Sequence, residues 1–243
     1  MFITAASVAL AVVAAALLRG FTGFGFALAA VPLLSLTLPV TRAVPLVIVL
    51  QAVVGFTGVR GAWRLCDWRA VRWIVAGLVP GTPVGIWLLT GMSSDRVRLT
   101  IGLVIAASVA LLSAGLRLSV RPPNALTWVV GAVAGVINGL AAMPGPPIVA
   151  FFLAMPRSAV ELRASIIIVF AATSLIGLVP LLLRGLVDRD TVLLALLALP
   201  GLLIGSRVGA WGFTHTDQKW HRPVALVVLS ALSVMLIGRA LAG

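Results

Sequence analysis

From Met1 to Thr41 the chain carries one charged side chain, Arg19. That run constrains the fold more than any other feature. Crossing the hydrocarbon core of a bilayer takes about 20 residues of helix, and soluble domains do not tolerate such a stretch. In its middle, at Gly20–Pro32, stands G-F-T-G-F-G-F-A-L-A-A-V-P. Backbone that leaves the helix inside lipid has unsatisfied N–H and C=O groups, which survive only against protein or a water-filled cavity. The glycine-rich interruption therefore marks a place where something polar is handled within the membrane.

The whole chain follows the same pattern. It is 61% hydrophobic and 10% charged, against about 25% charged in ordinary soluble domains. Short alternating segments are missing, which excludes a closed barrel. The fold class is all-α, a polytopic membrane protein. Cutting at charges and turn residues gives ten hydrophobic segments, for 8–10 spans, near 2–18, 22–38, 43–59, 72–91, 97–116, 125–139, 141–155, 162–183, 191–212 and 223–241. The net charge of +12 sits in short loops, where membrane topology accounts for it. Nucleic acid is not an expected partner. Met1 leads into apolar residues without a basic stretch, so the first segment is expected to be retained.

The sequence repeats. Gly20…Pro32 reappears as Gly135…Pro147, and Pro80-Gly81-x3-Gly85 as Pro200-Gly201-x3-Gly205, preceded by Leu65-x-Asp67 and Leu186-x-Asp188. The repeats are 1–120 and 124–243, together one transmembrane domain, a plan common in secondary transporters. Five segments per repeat is an odd number, so the second repeat is expected to be inverted. Loops 60–72, 117–124, 156–163 and 212–222 then share a side and hold most of the basic residues, which makes that side cytoplasmic. Glycines four apart at Gly77–Gly85, Gly131–Gly139 and Gly201–Gly209 form ridges suited to close helix packing. The ridges at Gly77–Gly85 and Gly201–Gly209 fit packing within one chain or between two in a homodimer, while Gly131–Gly139 runs into the second glycine-rich break.

The two glycine-rich breaks carry the chemistry. The first offers Thr22, Gly23, Phe24 and Gly25. The second offers Asn138, Gly139, Gly145 and Pro146. Glycines let backbone N–H groups be presented, and a helix N-terminus adds partial positive charge, so both suit a small anion. Ala141–Pro147 contains three prolines and cannot be one helix; a new helix is expected near Pro146. The two breaks are expected to form two halves of one site near the membrane midplane. Gln51, alone among glutamines in an apolar segment, is read as a ligand contact or an inter-helix hydrogen bond. Thr173 lies in the matching region of the second half. Its hydroxyl can also bond the carbonyl a turn earlier. Arg19 either balances an anion or ends a helix and reaches for the interface.

All six acids lie in or beside loops, which argues against a buried carboxylate relay for ion coupling. One cysteine, Cys66, and two loop histidines, His215 and His221, leave no metal cluster and no disulfide. No cofactor motif and no nucleophile–base pair appears, so the chain is not read as an enzyme.

G-F-T-G-F-G-x6-P at Gly20–Pro32 and G-x3-G-L-x4-G-P-P at Gly135–Pro147 resemble the two glycine-rich signatures of the TauE/SafE sulfite exporter family. Leu65-Cys66-Asp67-Trp68-Arg69 followed by Pro80-Gly81-x3-Gly85 is similar to its post-loop pattern. The resemblance covers nearly the whole chain. It departs at Ala141-Ala142-Met143-Pro144, where the family is richer in glycine. It implies a multi-pass transporter in the bacterial inner (plasma) membrane for a small inorganic or organic anion, sulfite or an organosulfonate, moved outward. Uptake of a related sulfonate or carboxylate is the alternative within transport. A non-transporting membrane scaffold is the alternative outside it, and would not need two matched glycine breaks.

Overall fold

The structure is a computed structural model. It describes residues 2–22, 25–56, 58–115, 118–215 and 218–242. Eleven helices are formed among them: α1 Phe2–Thr22, α2 Phe26–Leu34, α3 Val40–Gly55, α4 Val59–Ala62, α5 Trp68–Gly91, α6 Ser94–Ala114, α7 Asn124–Ala141, α8 Gly145–Ala154, α9 Ala159–Leu183, α10 Arg189–Thr214 and α11 Gln218–Ala242. Four are long and apolar enough to cross a bilayer, at Trp68–Gly91, Asn124–Ala141, Ala159–Leu183 and Arg189–Gly212. Shorter apolar stretches lie at Ala6–Gly20, Val40–Gly55, Gly145–Ala154 and Val227–Leu241. Large apolar side chains stand exposed along these helices, among them Trp87, Leu183 and Leu197. In water this much exposed apolar surface would drive association; in lipid it is the expected face.

The helices form two compact units that do not follow the sequence halves. The first comprises Met1–Leu50, Met92–Val109 and Gly185–Gly243, the second Gln51–Gly91 and Ala110–Arg184. Each draws on both halves of the chain.

In the second unit α5 packs along α7. The two run parallel, because Gly77 lies against Trp128–Ala132 and Gly85 against Val136–Leu140. Gly77, Gly81 and Gly85 on one helix and Gly131, Gly135 and Gly139 on the other bring the two backbones into contact along the seam. A Cβ on Gly81 would strike the Ala132 carbonyl, and one on Gly139 the Thr82 carbonyl. Backbones this close exchange dispersion and Cα–H···O contacts, which hold helices together in lipid where the hydrophobic effect does not. Beside the seam Ile74, Leu78, Ile148, Phe152 and Val169 form a core closed by α8 and α9.

Polar groups set the helix ends of this unit. Asp67 Oδ1 accepts from the Arg69 and Ala70 amides at 3.0 and 3.1 Å and so starts α5. Ser158 Oγ accepts from the Glu161 amide at 3.2 Å and starts α9. The Leu118 amide donates to the Ala154 carbonyl at 2.7 Å, satisfying the end of α8 from the linker between the sequence halves.

In the first unit α1 packs along α10, again in parallel: Gly201 lies against Val13, Gly205 against Ala16 and Gly20 against Ser206–Ala210. Gly20 therefore belongs to the packing of α1, which continues past the expected end of its segment to Thr22. Asp188 starts α10 by accepting from the Thr191 amide at 2.8 Å and the Thr191 hydroxyl at 2.7 Å. Ser233 Oγ donates to the Gly102 carbonyl at 2.8 Å, joining α11 to the first part of α6.

Candidate functional site

The helix that begins at Asn124 stops at Ala141, and its continuation starts at Gly145. Ala142 has φ 56 and ψ 23, the left-handed conformation, and is the one non-glycine residue with positive φ among the described residues. An L-residue there costs about 1–2 kcal/mol and persists only when its surroundings hold it. Two bonds do so. The Ala142 amide donates to the Asn138 carbonyl at 2.7 Å, closing the end of α7. Gln51 Nε2 donates to the Ala142 carbonyl at 3.2 Å. Residues 138–144 are all buried, so this irregular backbone is covered by protein, as a membrane requires.

Asn138 is fully buried in the last turn of α7. Its Nδ2 donates to the Thr173 carbonyl on α9 at 3.1 Å. That bond fixes the amide's orientation, since a carbonyl can only accept. Its Oδ1 has no partner. Thr173 contributes to this bond through its main chain. Its hydroxyl donates to the Phe170 carbonyl of its own helix at 2.8 Å, as does the Ser174 hydroxyl at 3.0 Å.

The new helix α8 has ten residues, about half the thickness of the hydrocarbon core at 1.5 Å per residue. Pro146 and Pro147 occupy its first turn, and no side chain caps it. Of its first four residues only Gly145 and Ile148 carry an N–H. Its start thus supplies the positive end of a dipole but few hydrogen-bond donors. Gly145 has ordinary room around it, the nearest heavy atom to a Cβ being Phe170 Cζ at 3.6 Å. Gly139 does not; it lies within the α5–α7 seam.

The other break differs. Helix α1 ends at Thr22 and α2, of nine residues, begins at Phe26 after Gly25, whose φ of 92 suits glycine alone. No side chain caps α2, and Phe26 through Pro32 are buried. Gly23, Phe24 and the side chain of Thr22 lie outside the described residues. Arg19 stands partly buried in the last turn of α1, and none of the ion pairs among the described residues involves it.

Of the residues expected from sequence, Gln51, Asn138, Gly139, Gly145, Pro146 and Thr173 gather around the α7–α8 break, while Gly25 belongs to the α1–α2 break. Sequence reasoning missed Thr82. It is fully buried on α5 beside Gly135 and Gly139, and its hydroxyl has no partner. It also missed the surroundings of Asp67. Arg121 Nη2 lies 2.7 Å from both carboxylate oxygens and Arg157 Nη2 lies 3.8 Å from one. The Asp67 amide donates to Ser165 Oγ at 2.8 Å. The one available signal was Asp67 as a helix cap before α5.

Comparison with known proteins agrees with this architecture. Residues 8–236 match the family model described as Sulfite exporter TauE/SafE. The chain is similar to the probable sulfite/organosulfonate exporter TauE of Cupriavidus necator, 29% identical over 182 residues, covering 73% of this chain and 71% of that one. It is also similar to the probable inner membrane transporter protein TsaS of Comamonas testosteroni, 26% identical over 180 residues, 72% of this chain and 74% of the relative. No solved structure matches. The match over almost its entire length makes this chain a member of the TauE/SafE sulfite exporter family of membrane transporters.

Proposed function

We propose that this protein exports a small sulfur-containing anion, sulfite or an organosulfonate, across the bacterial inner membrane, and that the anion is bound at the α7–α8 break. The observation that carries the reading is the buried interruption at Ala142–Pro144. Irregular backbone held under strain by Gln51, ahead of an uncapped half-length helix, is the arrangement by which repeat-built transporters hold ions in the bilayer. The positive end of the α8 dipole favours the negative charge. The names of the two relatives support the substrate class and the membrane.

An anion leaving an inside-negative cell moves downhill by about 2.3 kcal/mol per charge per 100 mV, so charge movement alone can drive export. The test uses proteoliposomes loaded with sulfite under an imposed potential of either sign. Efflux that accelerates when the interior is negative, without a pH gradient, supports the reading. Absence of flux for sulfite and for sulfonates removes it. Flux that obeys only a pH gradient leaves transport standing and removes the drive.

A further inference from the structure

Arg19 is the one charged side chain between Met1 and Thr41, and binding at the α7–α8 break gives it no task. It stands on the wrong face for a side chain that reaches outward to the interface. The exposed stripe of α1 is Leu10, Ala14 and Leu17. Val8, Val12 and Ala15 are buried on the opposite face. Arg19 comes four residues after Ala15, so the helical period keeps it on that buried face. It is itself only partly exposed. Among the described residues no hydrogen bond or ion pair involves it.

A hydroxyl stands at the same level. Gly20 packs against Ser206 of the parallel helix α10, so Arg19 and Ser206 share one height of the pair. Ser206 continues the face of the buried Ala195, Ala198 and Leu202, and its buried Oγ has no partner. The acids described in this unit are engaged or distant. Asp95 pairs with Arg98 at 2.9 Å. Asp188 and Asp190 stand at the start of α10, about 25 Å from Ser206 at 1.5 Å per residue. Arg207, next in the chain, is exposed and of the same sign as Arg19. A guanidinium on a buried face without a counter-charge is costly in a membrane, and an open buried hydroxyl adds to the cost. One small oxyanion satisfies both. The planar fork of arginine matches two oxygens of a sulfite, sulfonate or carboxylate group, and the hydroxyl donates to an oxygen.

We propose that Arg19 and Ser206 form an anion-binding site in the first unit, which takes a free small oxyanion on the guanidinium fork and the hydroxyl. This goes beyond binding at the α7–α8 break and does not depend on it. The α7–α8 break offers amides and a helix dipole; Arg19 offers a full positive charge. A lipid phosphate presents the same oxygens as a free anion, so the experiment separates the two.

The test uses the full chain in lipid-free detergent, with methanesulfonate as the probe and phenylglyoxal as an arginine-selective reagent. Methanesulfonate is expected to slow the modification of Arg19, read by peptide mass, several-fold more than chloride does at equal ionic strength. Arg19→Gln should bind radiolabelled methanesulfonate about tenfold or more weakly. Arg19→Lys should keep part of the affinity, as a point charge without the fork, and Ser206→Ala should lose several-fold. A structural role for Arg19 would instead lower the melting midpoint without ligand and leave affinity alone. Equal affinity in Arg19→Gln and wild type, or equal protection by chloride, overturns the inference. So does protection that phosphatidylglycerol abolishes at equal concentration, which assigns Arg19 to a lipid phosphate. If Arg19→Gln fails to fold, the wild-type protection decides alone. Gln51→Leu keeps the two sites apart: affinity lost there and unchanged in Arg19→Gln removes this inference, while the reverse supports it and removes anion binding at the α7–α8 break.

Discussion

The α5–α7 pair and the α1–α10 pair use the same device, two parallel helices closed over glycines four residues apart, yet they differ in how completely they use it. In α5–α7 both helices carry glycine, so a Cβ added at Gly77, Gly81, Gly131 or Gly139 meets backbone. In α1–α10 the glycines lie mainly on α10 and face Val13 and Ala16. A Cβ at Gly201 meets Val13 Cγ2 at 2.7 Å, the end of a side chain. The tighter seam is also the one that contains Thr82 and continues into the strained end at Ala142. The comparison teaches that close packing beside a buried, unpartnered hydroxyl is shared between the units, Thr82 in one and Ser206 in the other, while a left-handed non-glycine residue occurs, among the described residues, only at the end of the tighter seam.

The largest expected effects break the seam itself. Gly81→Ala and Gly139→Ala push a methyl into a carbonyl that cannot move without shifting a helix. Each should cost about 2–3 kcal/mol, read as a fall in the midpoint of thermal unfolding in detergent. Gly201→Ala should cost about 1 kcal/mol, since Val13 can turn aside. Gly61→Ala and Gly238→Ala, with nothing near a Cβ, serve as controls. Equal losses at Gly81 and Gly201 would show that the two seams are alike after all.

A second contrast lies at the caps, Asp67 before α5 and Asp188 before α10, each the last residue of a Leu-x-Asp motif. Asp67 is buried and pairs with Arg121 and Arg157, themselves about one-third exposed. Asp188 is exposed and bonds Thr191. Asp67→Asn keeps a capping side chain but leaves Arg121 without its bidentate partner. It should cost about 1–3 kcal/mol, below the full value for a buried pair because the arginines are partly solvated. Asp188→Asn should cost well under 1 kcal/mol. A loss at Asp67 no greater than at Asp188 would mean that the arginines add nothing to the cap.

How much of this was legible in the sequence divides along physical lines. The breaks, the helical class and the glycine ridges were readable because they arise from local rules: proline lacks an N–H, and glycine lacks a side chain. Gln51 stood out as an expensive group in an apolar run, and Asn138 as the polar residue of the second glycine-rich break. Their bonds did not, because an amide can donate or accept, and the choice is made by carbonyls 91 and 35 residues away. The pairing of α1 with α10 and of α5 with α7 crosses between the sequence halves, and no local pattern encodes a partner. Gly20 looked like part of the break and belongs to a seam for the same reason.

A smaller effect separates the caps by pH. The hydroxyl and amide of Thr191, and more weakly Arg42, hold the Asp188 carboxyl below its ordinary range. A carboxylate depressed on folding contributes stability that is present above its unfolded pKa and lost as the pH falls through the folded value. Melting measured from neutral pH down through the carboxylate range should therefore show an acid-side loss in the wild type that Asp188→Asn lacks. The difference is small because the group is exposed and screened by solvent. Identical acid limbs would show that Thr191 bonds the neutral acid as well as the carboxylate.

The smallest effect concerns the residue between Leu and Asp of the two Leu-x-Asp motifs, Cys66 in one and Val187 in the other. Burial pushes the Cys66 thiol up, its own backbone hydrogen bond partly offsets this, and the charge of Asp67 adds to the rise. The thiol also donates to the Trp63 carbonyl at 3.6 Å, so the reactive thiolate is scarce near neutrality. Alkylation of Cys66 in the intact protein should be several-fold slower than that of a free thiol and should climb steeply with pH. Asp67→Asn removes one cause of the rise and should speed the reaction by a smaller factor. Val187→Cys in a Cys66→Ser background places a thiol beside Asp188, outside the Arg121–Arg157 cluster, and should react faster than Cys66. Equal rates at the two positions would locate the protection in the shared Leu-x-Asp turn rather than in the packing around Asp67.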